Sequence, residues 1–281
     1  MEVTRKKMSY YIGKSMQHFI LLVIGLFMLL PFSWMLATSL RLPKDSFRLP
    51  PSFFPTTFDF SNYLEVFQQV PFFTFILNSL KIAVPSTILQ CLISACAAYA
   101  FARMNFKGKN LLFLMILSGL MIPVQVTVIP LFIMFKNFDI IDTHLSLLLP
   151  SLVFPMGIFI LRQFMTGIPK SYDEAARIDG AGYWRIFWSI ILPMSKPALI
   201  VAGMLSFIAT WNDFFRPLIF INTFEKMTIP LGLTALSGFM RNASISIILA
   251  GVIVSLIVPL VLFAVGQRYL IKGISLTGIK G

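Results

Sequence analysis

Asp213 is the sole acidic residue within any of the long apolar runs of this chain, and Arg216 follows it three residues later. On a helix that spacing puts both side chains on one face, where they can pair. An ionised group in hydrocarbon is costly, so Asp213 is expected to face a cavity or a partner rather than lipid. Trp211 and Asn212 precede it, and Pro217 has no N–H to offer the Asp213 carbonyl. A carboxylate, an amide, a free carbonyl and an aromatic face together suit a hydroxyl-rich ligand. An ion pair that fixes the helix against its neighbours would use the same two charges, and both readings stand. Gln90, Gln125 and Thr127 are further candidates for the lining of such a cavity.

A second constellation lies in the stretch 166–196. It reads Ser171-Tyr172-Asp173-Glu174-Ala175-Ala176-Arg177-Ile178-Asp179-Gly180 and closes with Ile190-Ile191-Leu192-Pro193. Ser171 followed three residues later by Glu174 is a capping-box pattern, which predicts a short helix beginning there. Asp173 and Glu174 fall in its first turn, where carboxylates meet the positive end of the helix dipole. Ala175 and Ala176 are small enough to let another protein surface approach. Gly180 and Gly182 supply the turn that ends the helix, with φ > 0 and a close neighbour expected at Gly180. Pro193 and Pro197 then lead into the next apolar run. On the capping pattern alone, an ordinary amphipathic helix resting on a membrane surface is the favoured reading.

Nothing in the chain reads as a catalytic or metal centre. Cys91 and Cys96 lie inside an apolar run and behave as small hydrophobes, and His18 and His144 are isolated. There is no Gly-x-x-x-x-Gly-Lys-Ser/Thr, hence no loop of that kind to cradle the phosphates of ATP or its Mg.

Hydropathy sets the elements that must position these residues. Of 281 residues 57% are hydrophobic and only 12% charged, and the mean hydropathy is +0.85. That is too little charge to cover a soluble domain of this length. The apolar residues fall in six runs: Phe19–Ala37, Phe75–Phe101, Leu111–Phe135, Leu145–Phe164, Ala198–Ile221 and Ile245–Val265. Each is close to the roughly 20 residues that cross about 30 Å of hydrocarbon as a helix. Backbone groups in lipid must bond within their own segment, so the chain is expected to be all-α, a polytopic membrane protein of six transmembrane helices in one domain over 1–281. Arg5, Lys6, Lys7 and Lys14 precede the first run. That run is too long for a signal-peptide core and is expected to remain as an uncleaved anchor. Pro85, Pro123, Pro130, Pro155 and Pro259 predict helices bent around a central cavity. The Pro- and Phe-rich stretch from Arg41 to Pro71 is expected along the outer interface.

A formal net charge of +12 invites a nucleic-acid reading, and the placement of the charges argues against it. Fifteen Lys and Arg, among them Arg103, Lys107, Arg162, Arg177 and Arg268, fall on one side of the predicted spans. Six fall on the other: Arg41, Lys44, Arg48, Lys136, Lys226 and Arg241. The acids Asp45, Asp59, Glu65, Asp139, Asp142 and Glu225 also fall on that second side. The excess marks the cytoplasmic face and predicts both termini inside, with membrane lipid as the partner and no nucleic acid.

The spacing of Glu174, Ala175, Ala176, Gly180, Ile190, Leu192 and Pro193 closely resembles the cytoplasmic motif of permease subunits in binding-protein-dependent ABC importers. Trp211-Asn212-Asp213-Phe214 and the tail Gly273-Ile274-Ser275-Leu276-Thr277-Gly278-Ile279-Lys280-Gly281 are similar to stretches of a narrower group. These are the sugar permeases that look like the smaller permease subunit of the maltose transporter. The resemblance runs from about Asn78 to the C-terminus. It implies that the helix bearing Ser171, Asp173, Glu174, Ala175, Ala176, Asp179 and Gly180 couples to a separate ATPase, which binds ATP and Mg. It also implies a homologous second permease subunit, two ATPase copies, an extracytoplasmic solute-binding protein and the inner membrane of a prokaryote. No enzymatic role is expected of this chain. An ion-gradient-driven secondary transporter would instead show internal repeats or several intramembrane charges. A membrane scaffold would account for the six runs and leave the Glu174-to-Pro193 spacing without a reason.

Overall fold

The computed structural model describes residues 2–45, 54, 57–238 and 244–277, with side chains for 10–45, 54, 57–237 and 244–269. The Phe53 and Arg241 segments and the last residues of the Gly-rich tail lie outside the described residues. Among the described residues every regular element is helical: α1 Glu2–Ser39, α2 Ser61–Gln69, α3 Phe72–Arg103, α4 Lys109–Ser118, α5 Val124–Asn137, α6 Leu145–Ser151 and α7 Pro155–Gly167. The order continues with α8 Ser171–Ile178, α9 Tyr183–Ile186, α10 Leu192–Met194, α11 Lys196–Trp211, α12 Phe215–Phe220, α13 Ile229–Gly238 and α14 Ile245–Thr277. A π-helical turn, Phe187–Ile191, joins α9 to α10.

Four stretches are long and apolar enough to cross a membrane: Tyr10–Ser39, Phe72–Arg103, Leu145–Gly167 and Ile245–Tyr269. Two bent pairs add to them, Lys109–Met121 with Val124–Asn137 at 97° and Tyr183–Met194 with Lys196–Trp211 at 77°, giving six spans if each pair is one.

Continuous helices were expected over 111–135 and 198–221, and both runs are interrupted, as is 145–164 between α6 and α7. In the first, Pro123 takes extended backbone (φ −63°, ψ 140°) ahead of α5. In the second, α11 stops at Trp211 and α12 resumes at Phe215. Pro217 cannot donate to the Asp213 carbonyl, and the Asp213 carboxylate takes the N–H of Arg216 at 3.3 Å instead, so the chain re-nucleates. Pro155 starts α7 rather than bending a helix, whereas Pro85 and Pro259 lie inside unbroken ones.

The chain divides into two compact units. One comprises residues 1–70 and 235–254. In it the apolar body of α1 is exposed, while Ala37, Thr38, Ser39, Leu40 and Arg41 are buried. Asn62 of α2 donates to the carbonyls of Ser39 and Arg41 at 2.9 and 2.8 Å, and the Tyr63 and Ser39 hydroxyls are 2.8 Å apart.

The other unit comprises residues 71–234 and 255–281 and is built on α3. Apolar side chains of α3, α7, α11 and the π turn form its core, with Ala95, Ala98, Leu161, Met165, Phe187, Ile191 and Ala202 all buried. Gly157 lets α7 lie close to α3, because a Cβ there would sit 3.0 Å from Ser94 Oγ and inside contact distance of the Phe154 ring. The buried polar residues of α3 each find a partner on another element. Ser86 meets Ser151 at 3.1 Å, Gln90 accepts from Ser206 at 2.7 Å, and Asn78 donates to the carbonyls of Glu225 and Met227 at 2.7 and 3.0 Å. Among apolar helices such hydrogen bonds hold packing that the hydrophobic effect cannot drive in lipid.

Candidate functional sites

Local chemistry builds α8 from both ends. Pro169 fixes the backbone entering the helix, and the carbonyl of Lys170 accepts the N–H groups of Asp173 and Glu174 at 2.9 and 3.1 Å. Lys170 is therefore the N-cap, in αR geometry and with no side-chain cap. The expected capping box from Ser171 does not form, because Ser171 is already the first helical residue.

The far end is a Schellman turn. Ala181 N–H donates to the Ala176 carbonyl at 2.9 Å and Gly180 N–H to that of Arg177 at 3.0 Å, with Gly180 at φ +78°. A Cβ on Gly180 would meet nothing within 4 Å, so the close neighbour expected there is absent and only the backbone demands glycine. Asp179, exposed, is the C-cap.

The two faces of α8 differ sharply. Ser171, Tyr172, Glu174, Ala175 and Ile178 are exposed, Ile178 to 87%. Asp173 and Ala176 are buried. Ala176 belongs to the apolar core and does not receive a partner surface as expected; Ala175 alone of the two is open. Asp173 turns away from solvent as well, with Oδ2 3.3 Å from Nη1 of Arg103 at the end of α3. The sequence reading missed Arg103 as a site residue and counted it only as a cytoplasmic charge. Its one signal was its position, closing an apolar run. Tyr99, a turn earlier, donates its hydroxyl to the Tyr183 carbonyl at 3.2 Å, and Arg177 lies over the Tyr183 ring at 5.0 Å.

Around the break in the second interrupted run, Arg216 Nη1 is 3.5 Å from Asp213 Oδ2, and both side chains are about one quarter exposed. Asn212 is exposed and donates to the Ile208 carbonyl at 3.0 Å. Trp211 departs from its expected part: it is buried and stacked on Phe207, ring centroids 5.6 Å apart, so its face is not open to a sugar within this chain. Gln90 is buried against Ser206 and Thr127 bonds the Val124 carbonyl, while Gln125 is exposed. Asp213, Arg216 and Asn212 thus stand together, and the structure does not bring Gln90 or Trp211 to an open surface.

A third cluster was not foreseen. Asp142, in left-handed backbone (φ 57°), accepts the N–H groups of Asn222 and Thr223 at 2.9 Å each. Its other oxygen takes the Thr223 hydroxyl at 2.5 Å and the Lys226 ammonium at 2.9 Å. In the sequence both charges were only entries in the topology count.

Comparison with known proteins agrees with this architecture. Residues 91–275 match the family described as binding-protein-dependent transport system inner membrane component. The chain is 35% identical over 231 residues to the arabinooligosaccharides transport system permease protein AraQ of Halalkalibacterium halodurans, covering 82% of each chain. It is also 35% identical to the osmoprotective compounds uptake permease protein GgtD of Synechocystis, over 80% of this chain and 76% of that one. The fold matches a chain of a bacterial ABC transporter involved in the import of the acidic polysaccharide alginate, with TM-score 0.78 and 22% identity over 93% of this chain and 97% of the other. With its helical multi-pass architecture and the patterned helix α8, this chain belongs to the binding-protein-dependent family of inner-membrane transport permeases.

Proposed function

We propose that the chain forms half of the translocation pathway of an ATP-driven carbohydrate importer. Oligosaccharides fit best as its cargo. The observation that carries the reading is the asymmetry of α8: an anchored inner face behind an outer face of Tyr172, Glu174, Ala175 and Ile178. An exposed isoleucine beside a carboxylate on a short, rigid helix suits docking into a cleft of another protein. The ATPase that docks there, in two copies, binds the ATP and Mg for which this chain carries no Walker-type loop. A homologous second permease subunit completes the pathway, and an extracytoplasmic binding protein delivers the solute. Asp213, Arg216 and Asn212 are assigned to the lining of the pathway, where polar groups meet hydroxyls. The arabinooligosaccharide name of AraQ supports the cargo class.

The test is co-purification with an ATPase subunit, followed by solute-stimulated ATP hydrolysis of the reconstituted complex with its binding protein. Stimulation by a set of small oligosaccharides is expected. Stimulation confined to small osmoprotectants would move the cargo to the class in GgtD's name. No association with any ATPase would overturn the importer reading.

A further inference from the structure

The buried face of α8 does something different from docking. Arg103 closes α3 with its side chain only 4% exposed, and Asp173, 11% exposed, meets it in the first turn of α8. The pair joins complementary helix ends, a cation at the negative C-terminus of α3 and an anion at the positive N-terminus of α8. Four residues earlier on α3, Tyr99 holds the Tyr183 carbonyl, just beyond the turn that ends α8. The last turns of α3 thus grip the segment from Asp173 to Tyr183 at both ends. Between the grips, Ala176 packs in the same core as Ala95, Ala98 and Tyr99.

The contact is single. Arg103 Nε and Nη2 and Asp173 Oδ1 have no hydrogen-bond partner among the described residues. A buried pair of this kind adds little net stability over apolar residues of the same volume. Its consequence is directional: it fixes where α8 sits on α3. Coupling between distant sites needs a physical element whose arrangement both sites bias, and α3 continues from this grip to Gln90, which holds Ser206 of α11.

We propose that Arg103 and Asp173 are positioning residues, a strut that carries displacement of α8 into α3, and that Asp173 is not part of the ATPase-facing surface. The inference rests on the reading of α8 as the ATPase-coupling helix. It is tested in the reconstituted importer by the number of ATP hydrolysed per solute moved, normalised to assembled complex. A merely structural role changes how much complex assembles and leaves that ratio alone. Asp173→Asn and Arg103→Met are expected to raise the ratio about fivefold or more, within the usual range of coupling factors. Arg103→Lys is expected to stay near the native ratio, because a lysine ammonium can make the single contact.

Native ratios in both Asp173→Asn and Arg103→Met would overturn the strut. So would loss of ATPase association in Asp173→Asn with normal membrane insertion, since Asp173 would then be a docking residue. If Arg103→Met fails to accumulate, Asp173→Asn against Arg103→Lys decides, and equal native ratios in those two overturn the proposal. Glu174→Lys, on the opposite face, is measured alongside. Native transport by that variant sinks the coupling reading of α8, whereas a defective Glu174→Lys beside a native Asp173→Asn sinks the strut alone.

Discussion

A single carboxylate, Asp142, ties the loop after α5 to the segment after α12. Burial works against its charged form, and the hydrogen bonds from Thr223, Lys226 and Asn222 outweigh it, holding the carboxyl well below the usual carboxylate range. With a folded value below the unfolded one of about 3.9, its contribution is fully present above roughly pH 5 and is lost as the pH falls below 4 toward the folded value. Asp142→Asn keeps the shape, removes the charge facing Lys226 and should cost about 2 kcal/mol at pH 7. Unfolding in detergent at pH 7 and at pH 3 checks this: the gap between variant and native protein should shrink at the lower pH, and a constant gap would show that the charge is idle. Gly180 makes the opposite case, backbone without side-chain contacts. Left-handed geometry costs a β-branched residue roughly 1–2 kcal/mol, while Asn tolerates it far better. Gly180→Val should therefore weaken ATPase association clearly and Gly180→Asn only slightly, since a Cβ there meets open space. Equal behaviour of the two in a pull-down would mean that the turn does not need φ > 0.

Among the helices, α8 and the interrupted α11–α12 pair are the ones to which we assign the function, and they were legible to different degrees. The extent of α8 and its glycine-ended turn follow from local chemistry, which the stretch from Pro169 to Ala181 contains. Which face it buries does not, because the deciding partner is Arg103, on an element far upstream, and periodicity cannot name it. Trp211 is a different case: an aromatic beside an acid reads as a sugar platform, but Phe207, four residues earlier on the same helix, covers its ring, a neighbour that helical spacing does name. The break after Trp211 was half visible, since Pro217 marks the lost hydrogen bond but not that the helix stops and restarts. At this break Asp213→Asn should lower transport by about tenfold or more while leaving complex assembly largely intact, as expected of a polar group lining a pathway. Loss of assembly together with transport would assign Asp213 and Arg216 to a structural ion pair instead. Full uptake by a doubly neutral variant of the two residues would support that second assignment.

At the scale of the whole molecule, six hydropathy runs gave the right class of architecture because an apolar run of about 20 residues satisfies its own backbone in lipid as a helix. The 97° bend was not visible at that scale, since hydropathy is blind to a turn inside an apolar run, and the 77° bend falls at Ser195, ahead of the fifth run. Orientation rests on Lys and Arg alone, and it makes a prediction the helices do not. Lys107, between α3 and α4, and Arg177, on α8, belong to the positive-rich side, together with the N-terminus. The Asp142–Lys226 cluster and the Phe53 and Arg241 segments belong to the other. With Cys91 and Cys96 replaced by Ser, single cysteines at these positions should divide cleanly under an impermeant thiol reagent. Those at Phe53, Lys226 and Arg241 should label in intact cells, and those at Lys107 and Arg177 only after the membrane is opened. The assignment of α8 depends on this division, because an ATPase can reach Glu174 and Ile178 only from the cytoplasm. Labelling of Arg177 from outside would reverse the chain and remove α8 from the ATPase. Labelling of Phe53 only after opening would leave α8 in place but overturn the count of spans.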